Sequence, residues 1–395
     1  MLSYRSVAYA PADGPVQWVV QGGNGSERHG GIGMKYVLPG HRFPTRIAKG
    51  IGLGALALIV LGFTIWGALV LAFAGPSNAL VRDALVFAFC LVSAGGLIAL
   101  FVRRWRWQAM GVLAVLWAAL IALWTSIEPT NERDWQPDVA VLPYADILGD
   151  QVTVHNIRNF DYRSETDYTV AYYDKTFDLR QLRSVDIVTS YWMGPAIAHV
   201  FVSFGFAGDD YLAISIEVRK SKGKEYSTLK GFFRQYELIY VVADERDVIR
   251  LRTNYRRDPP EDVYVYRVKG SPEAGRRLFI QYMEQLNALR TQPEFYNTLT
   301  TNCTTNIWTN AHVNPGRVPL NWKILASGYV PEYLYEEGRL NDMGLSFPEL
   351  QRRARVNARA TAADSATDFS RRIRFMGDVQ ADADKEAPTV VRADR

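Results

Sequence analysis

Cys303 is the side chain with the most distinctive chemistry in this sequence. It is the only cysteine after residue 90. It sits in Thr300-Thr301-Asn302-Cys303-Thr304-Thr305-Asn306, a polar run rich in helix-capping residue types. Such a run predicts a helix start rather than packed core. The positive end of a helix lowers a thiol pKa and favours the nucleophilic thiolate. The alternative is the commonest role of a free cysteine, a small buried hydrophobe. A thiol nucleophile needs a base, and the C-terminal two thirds of the chain offer His155, His199 and His312. His312 lies nine residues after Cys303; at about 100° per residue, a shared helix would put them on opposite faces. His155 sits among Val152, Val154 and Ile157, on the polar side of an expected strand. His199 interrupts the apolar run Ala196 to Val202, where an imidazole is costly unless it has partners or a purpose. A third group would orient that imidazole. Across an expected hairpin the candidates are Glu217, Ser215 and Val218. A three-residue turn puts Glu217 opposite His199. A two- or four-residue turn does not, because a one-residue slip changes the face. The alternative for Glu217 is an exposed carboxylate near Arg219 and Lys220.

The elements that must position these residues are of two kinds. Three charge-free apolar runs, Ile51 to Ala74, Ala84 to Val102 and Ala109 to Ile127, come first. Each is about 19 to 24 residues long, and about 20 suffice for a helix to cross a bilayer core. Lys35, Arg42, Arg46 and Lys49 precede the first run, and Arg103, Arg104 and Arg106 fill the turn before the third. The positive-inside rule puts both in the cytoplasm and everything after Ile127 on the far side, which for the inner membrane of a Gram-negative bacterium is the periplasm. An unpaired cysteine in an oxidising compartment is itself a sign of a free thiol.

The exported part reads as α+β. Strands are expected at Val152 to Ile157, Val185 to Trp192, Tyr236 to Ala243 and Val263 to Val268, with a hairpin from Ile197 to Phe206 and Tyr211 to Arg219 about Ala207-Gly208-Asp209-Asp210. Ser271 as N-cap with Pro272 behind it predicts a helix to about Thr291, and a second helix starts near Cys303. The expected domains are a cytoplasmic segment over 1–49, three membrane helices over 50–127, a catalytic domain over 128–350 and a polar tail without fixed structure over 351–395. Met1 to Gly33 is Gly-rich and weakly patterned, and Met34-Lys35 would make a natural start.

Several function classes are excluded or weakly supported. There is no HExxH or CxxC, so a standard zinc site lacks ligands. There is no GxxxxGK[ST] phosphate loop, and no GxSxG elbow surrounds Ser203. No metal or cofactor is expected. The net charge of +4 is no nucleic-acid signature.

Taken together, several runs resemble the Lnb-type periplasmic domain. These are Ile157 to Arg163, Ser190-Tyr191-Trp192, His199 to Phe206, Ile214 to Lys220, Phe232 to Leu238, Asp244 to Asp247 and Thr300 to Thr305. The resemblance spans roughly Asp134 to Tyr335. It implies a papain-like fold of the permuted NlpC type, an antiparallel sheet packed on helices, in which the histidine strand precedes the cysteine helix. The order His199, then Asn302-Cys303, is the same as in lecithin–retinol acyltransferases, which also carry an Asn-Cys pair. Characterised Lnb relatives N-acylate bacterial lipoproteins. By carry-over Cys303 is the nucleophile and His199 the base, and Glu217 occupies a family motif near them. In the mechanism this implies, the Cys303 backbone N–H at the helix start meets the oxyanion, with Asn302 as an oxyanion or supporting residue. The implied partners are a phospholipid acyl donor and a lipoprotein or other amine acceptor. The three membrane helices before the domain are a departure that leaves the transferase activity open. Two other readings stay open: a cysteine amidase or peptidase acting on peptidoglycan, and a non-catalytic membrane sensor or scaffold.

Overall fold

The structure is a computed structural model that describes residues 45–316 and 318–374. The chain divides into two units, 1–52 and 53–395. Of the first, only the opening turns of a helix are described; the expectations for residues 1–44 and 375–395 lie outside the described residues.

Three helices come first: α1 (Thr45–Ala74), α2 (Ala79–Phe101) and α3 (Arg106–Thr125). Each is long and apolar enough to cross a membrane. The ends differ from the apolar runs because caps set them. Asn78 accepts from the Val81 N–H to start α2, and the Thr125 and Ser126 hydroxyls donate back to carbonyls of the last turn of α3. Large apolar side chains point outward, with Leu58 and Phe87 each 71% exposed. Such a surface suits lipid and is a liability in water. Inside, Gly67 and Gly96 let Leu120 and Leu113 approach where a Cβ would collide, the small-residue packing common between membrane helices.

The remainder is built on a mixed sheet. Its strands are β1 (Tyr144–Leu148), β2 (Gln151–Arg158), β5 (Tyr172–Asp178), β6 (Leu182–Tyr191), β7 (Ala198–Phe206), β8 (Asp210–Arg219), β9 (Glu237–Ala243) and β10 (Asp262–Arg267). β3 (Asp161–Tyr162) and β4 (Tyr168–Thr169) form a separate ribbon. The order is β1-β2-β9-β8-β7-β6-β10, with β5 also on β2. Pairing is antiparallel except between β2 and β9, where Arg158 meets Ala243 in parallel. The expectation of an antiparallel sheet thus needs that correction: β9 follows a long excursion and returns alongside β2 rather than by a hairpin.

Alternation sorts the central strands into two faces. Val200, Val202, Phe204, Leu212 and Ile214 pack with Phe279, Tyr282 and Met283 of α5 (Pro272–Thr291). Ser271 caps α5 by accepting from the Ala274 N–H. Val188, Phe201, Ala213, Ile239 and Val241 face the other way, against Val248 and Ile249 of α4 (Glu245–Arg250). The helices that follow α5 are α6 (Cys303–Asn310), α7 (Trp322–Leu325), α8 (Val330–Glu336), α9 (Phe347–Ala354), α10 (Asn357–Ala362) and α11 (Phe369–Arg372).

The segment from 351 to 374 differs from the tail without fixed structure that its composition predicts. Val356, Ala360, Ala363, Phe369 and Ile373 are buried against the second face of the sheet. Few apolar residues suffice there because Arg374 completes the contact with charge. It donates to both Asp186 and Glu245 at 2.7 Å, and all three side chains are at most 1% exposed.

Candidate active site

The site begins with a turn. Ala207-Gly208-Asp209 joins β7 to β8. Asp209 takes φ 59° and Gly208 φ 80°, values that Asn, Asp and Gly tolerate best. This is the three-residue case. The ladder runs from Phe206↔Asp210 to Val202↔Ile214, and its continuation sets His199 opposite Glu217. His199 Nε2 stands 3.1 Å from Glu217 Oε1. The same nitrogen donates to Ser215 Oγ at 2.7 Å, and the Ser215 hydroxyl donates to Glu217 Oε1 at 2.7 Å. Nε2 is therefore committed to this pair, which leaves Nδ1 to serve a thiol.

Ser215, a candidate beside Glu217 in the sequence, is a link between imidazole and carboxylate rather than its rival, and one contributor escapes a reading of the sequence. Arg252 lies in a π-helical turn, Leu251–Tyr255, and donates to Glu217 Oε1 at 2.7 Å. Its guanidinium lies 5.2 Å from the Phe201 ring centroid. Nothing in the local sequence points Arg252 at the hairpin; only the packing of α4 on β8 brings it there.

Cys303 is the first residue of α6. Asn302 is the N-cap: its side chain accepts from the Thr305 N–H, and the Thr305 hydroxyl accepts from the Asn302 N–H, both at 2.9 Å. Asn302 Nδ2 donates to the Thr298 carbonyl at 2.8 Å. These bonds tie the amide to the helix start and the preceding loop, so Asn302 supports the first turn of α6. The Cys303 N–H, in the first turn, has no intrahelical acceptor.

Cys303 and His199 line the same cleft, and the thiol feels the His199 side chain and the Val200 backbone N–H, both of which favour the thiolate. Burial pushes its pKa up, but the hydrogen bond to His199 and the imidazolium charge outweigh burial and hold the thiol below its ordinary value. Burial would lower His199; the Glu217 carboxylate and the hydrogen bonds to Cys303 and Glu217 raise it instead, to about 9. Burial would raise Glu217; the His199 charge and hydrogen bond, with Arg252 and Ser215, hold it well below the carboxylate range. The arrangement favours a thiolate–imidazolium pair backed by a carboxylate.

The other histidines stand elsewhere. His155 lies between Asp174 at 2.8 Å and Asp146 at 3.2 Å. It stacks on Tyr144 across β1 and β2. His312 Nδ1 faces the Trp308 carbonyl at 2.6 Å, past the end of α6. Among the described residues no cluster of His, Cys, Asp and Glu could hold a metal ion.

Cys303 opens into a cleft of about 640 Å³, walled by Trp192, Tyr226, Tyr296, Leu325 and Arg256. Tyr226 leads toward Leu229 and Phe232, all exposed apolar side chains. The next residue, Phe233, packs against Phe73 and Trp124 of the membrane-type helices. Arg234 donates to the Trp124 and Ile127 carbonyls at 2.8 and 2.9 Å.

Other motif residues are structural. Arg158 makes two bonds to Asp247 at 2.9 and 2.7 Å, and Asp247 also accepts from the Phe160 N–H and the Tyr162 hydroxyl. Glu245 accepts from Ser203 at 2.6 Å.

An α+β domain behind apolar helices, with a cysteine at a helix start facing a histidine on a strand, has the layout of a thiol–imidazole domain of a membrane protein. Residues 168–328 match the family described as the Lnb N-terminal periplasmic domain, the family that the sequence motifs resemble. The match takes in His199, Glu217, Arg252 and Cys303; the Ile157 to Arg163 run falls before it. No curated protein and no solved structure matches the chain.

Proposed function

We propose that this protein is a cysteine-dependent acyltransferase or hydrolase of the inner membrane, with its N-terminus cytoplasmic and its thiol domain periplasmic. The observation that carries the reading is the set Cys303, His199, Ser215 and Glu217, in which burial is overcome and the thiolate is favoured. The setting supports an amphiphilic substrate: Tyr226 of the cleft wall belongs to the same segment as exposed Leu229 and Phe232 and as Phe233, which packs on the membrane-type helices. Tethering beside a bilayer supplies lipid at high effective concentration.

The thiolate attacks the carbonyl carbon of a phospholipid ester. An S–C bond forms, and the oxyanion is met by the Cys303 N–H. The ester C–O bond breaks as the imidazolium gives its proton to the leaving alkoxide. The resulting thioester is attacked by an amine, such as the N-terminus of a lipoprotein, or by water. His199 takes the proton from that nucleophile as the S–C bond breaks, and the ion pair is restored.

The test is the intact mass of the membrane-purified chain beside Cys303→Ser, with and without neutral hydroxylamine. An acyl-sized, hydroxylamine-labile adduct absent from the variant is expected. A Cys303 inert to thiol reagents in the folded protein, with no adduct, refutes the reading and leaves a scaffold. A reactive thiol that never acylates points to an amidase.

A further inference from the structure

A second cavity of about 550 Å³ lies behind the helix that carries Cys303. That volume is in the range of small-molecule sites. It shares one wall residue, Thr304, with the Cys303 cleft. Thr304 is buried, and its hydroxyl donates to Asn302 Oδ1 and the Ile324 carbonyl, so it closes the space between the two. The walls are apolar: Val185, Ile187 and Val202 from the sheet, Leu278 from α5, Ile307 and Trp308 from α6.

Its charged residues are of one sign: Arg183, Arg267, Lys269, Arg277 and Arg339 line it, and no Asp or Glu does, with Arg267 already paired to Asp186 on the sheet. Lys269 and Arg277 are exposed, and Lys269 has no ion pair among the described residues. Arg277 spends its Nε on Asn314. Two buried polar atoms of lining residues, Arg183 Nε and Arg339 Nε, have no hydrogen-bond partner among the described residues. Buried polar atoms are normally satisfied, and leaving one bare costs free energy. An apolar space with a cationic rim and unsatisfied donors is complementary to one kind of guest.

We propose that this cavity binds a single-chain anionic amphiphile, a long-chain carboxylate, with its chain between the sheet and α6 and its head at Lys269 and Arg277. The site is separate from the Cys303 cleft and does not rest on the thioester chemistry.

The experiment uses the full chain in phosphatidylcholine nanodiscs with a diazirine-bearing palmitate, beside the corresponding neutral alcohol. Cross-linked residues are mapped by mass spectrometry. Label is expected on α5 and α6, with the carboxylate labelling about tenfold more than the alcohol. Lys269→Glu with Arg277→Glu, both on the surface and compatible with folding, brings the carboxylate down to the alcohol's level. Ala311→Trp, which fills the cavity, removes the label. Cys303→Ser leaves it unchanged, which separates this site from the proposed chemistry. Label confined to the membrane-type helices or to Tyr226 and Tyr296 overturns the proposal. So does equal labelling by acid and alcohol, or label indifferent to the paired charge reversal.

Discussion

At Cys303 two effects oppose each other. Burial disfavours the thiolate, while the hydrogen bond and charge of His199 favour it, and the second effect wins. His199 can supply that charge because the Glu217 carboxylate and the interaction with Cys303 outweigh burial and the opposing Arg252 charge, and hold it protonated up to about pH 9. The thiolate–imidazolium pair therefore exists between the depressed thiol pKa and about 9. Adduct formation should rise with pH as the thiol ionises and fall as pH passes through about 9, where the imidazolium proton needed by the leaving group is lost. Glu217→Gln removes the main support of that proton, so the alkaline limb should move to lower pH in a pH profile of adduct formation. An unmoved limb would mean that Glu217 does not govern His199. Removing the imidazole with His199→Gln should raise the thiol pKa. Iodoacetamide labelling of Cys303 at pH 7 should then slow by about tenfold for each unit of rise.

At the scale of elements, two short devices place the pair. One is the turn Ala207-Gly208-Asp209. Inserting one residue there should slip β8 against β7 and turn Glu217 to the other face together with the core residues Leu212 and Ile214, with loss of adduct and a lowered midpoint in thermal unfolding. The other is the Asn302 cap. Asn302→Ala should cost about 1 kcal/mol, as lost N-caps do, and should misplace the first turn of α6. Asn302→Asp keeps an acceptor for the Thr305 N–H but sets a carboxylate beside the thiolate, so the cap survives while the thiol pKa rises. Thermal unfolding and iodoacetamide profiles of the two variants separate the two effects. Two variants that are equally destabilised would argue against the cap as the positioning device.

Across the whole molecule, charge buried far from the thiol holds the layers together. Arg374 reaches back to Asp186 on β6 and Glu245 on α4, closing the C-terminal segment over the sheet. Removing one partner of a buried ion network leaves its mates uncompensated. Arg374→Ala should therefore cost about 3–5 kcal/mol, seen as a lowered midpoint in thermal unfolding of the reconstituted chain. Proteolysis should then begin within 355–374. A cost under about 1 kcal/mol, the value of a surface pair, would show that the segment is not part of the folded core. At the other end, Phe233 and Arg234 bind the domain to the ends of the membrane-type helices, which fixes which side of the cleft lies nearest them.

Much of this protein was determined by local pattern. The apolar runs, the Ser271 cap, the alternating strands and the polar start at Cys303 each specify their element through nearest neighbours, so all can be read along the chain. The choice of His199 over His155 and His312 was legible for the same reason: an imidazole in an apolar strand is an anomaly, while the others lie at a polar face and beyond a helix end. Glu217 was legible only conditionally, because its place depended on whether the turn held three residues. What the tertiary structure decided is what depends on distant segments meeting. Arg252 reaches Glu217 across 35 residues, and Arg374 reaches Asp186 across 188. The parallel contact of β2 with β9 and the order of residues 351–374 belong to the same class. In each, the energy comes from burying charge or apolar surface against a partner that no local window contains, so composition alone read the tail as solvent-exposed and left the arginines unassigned.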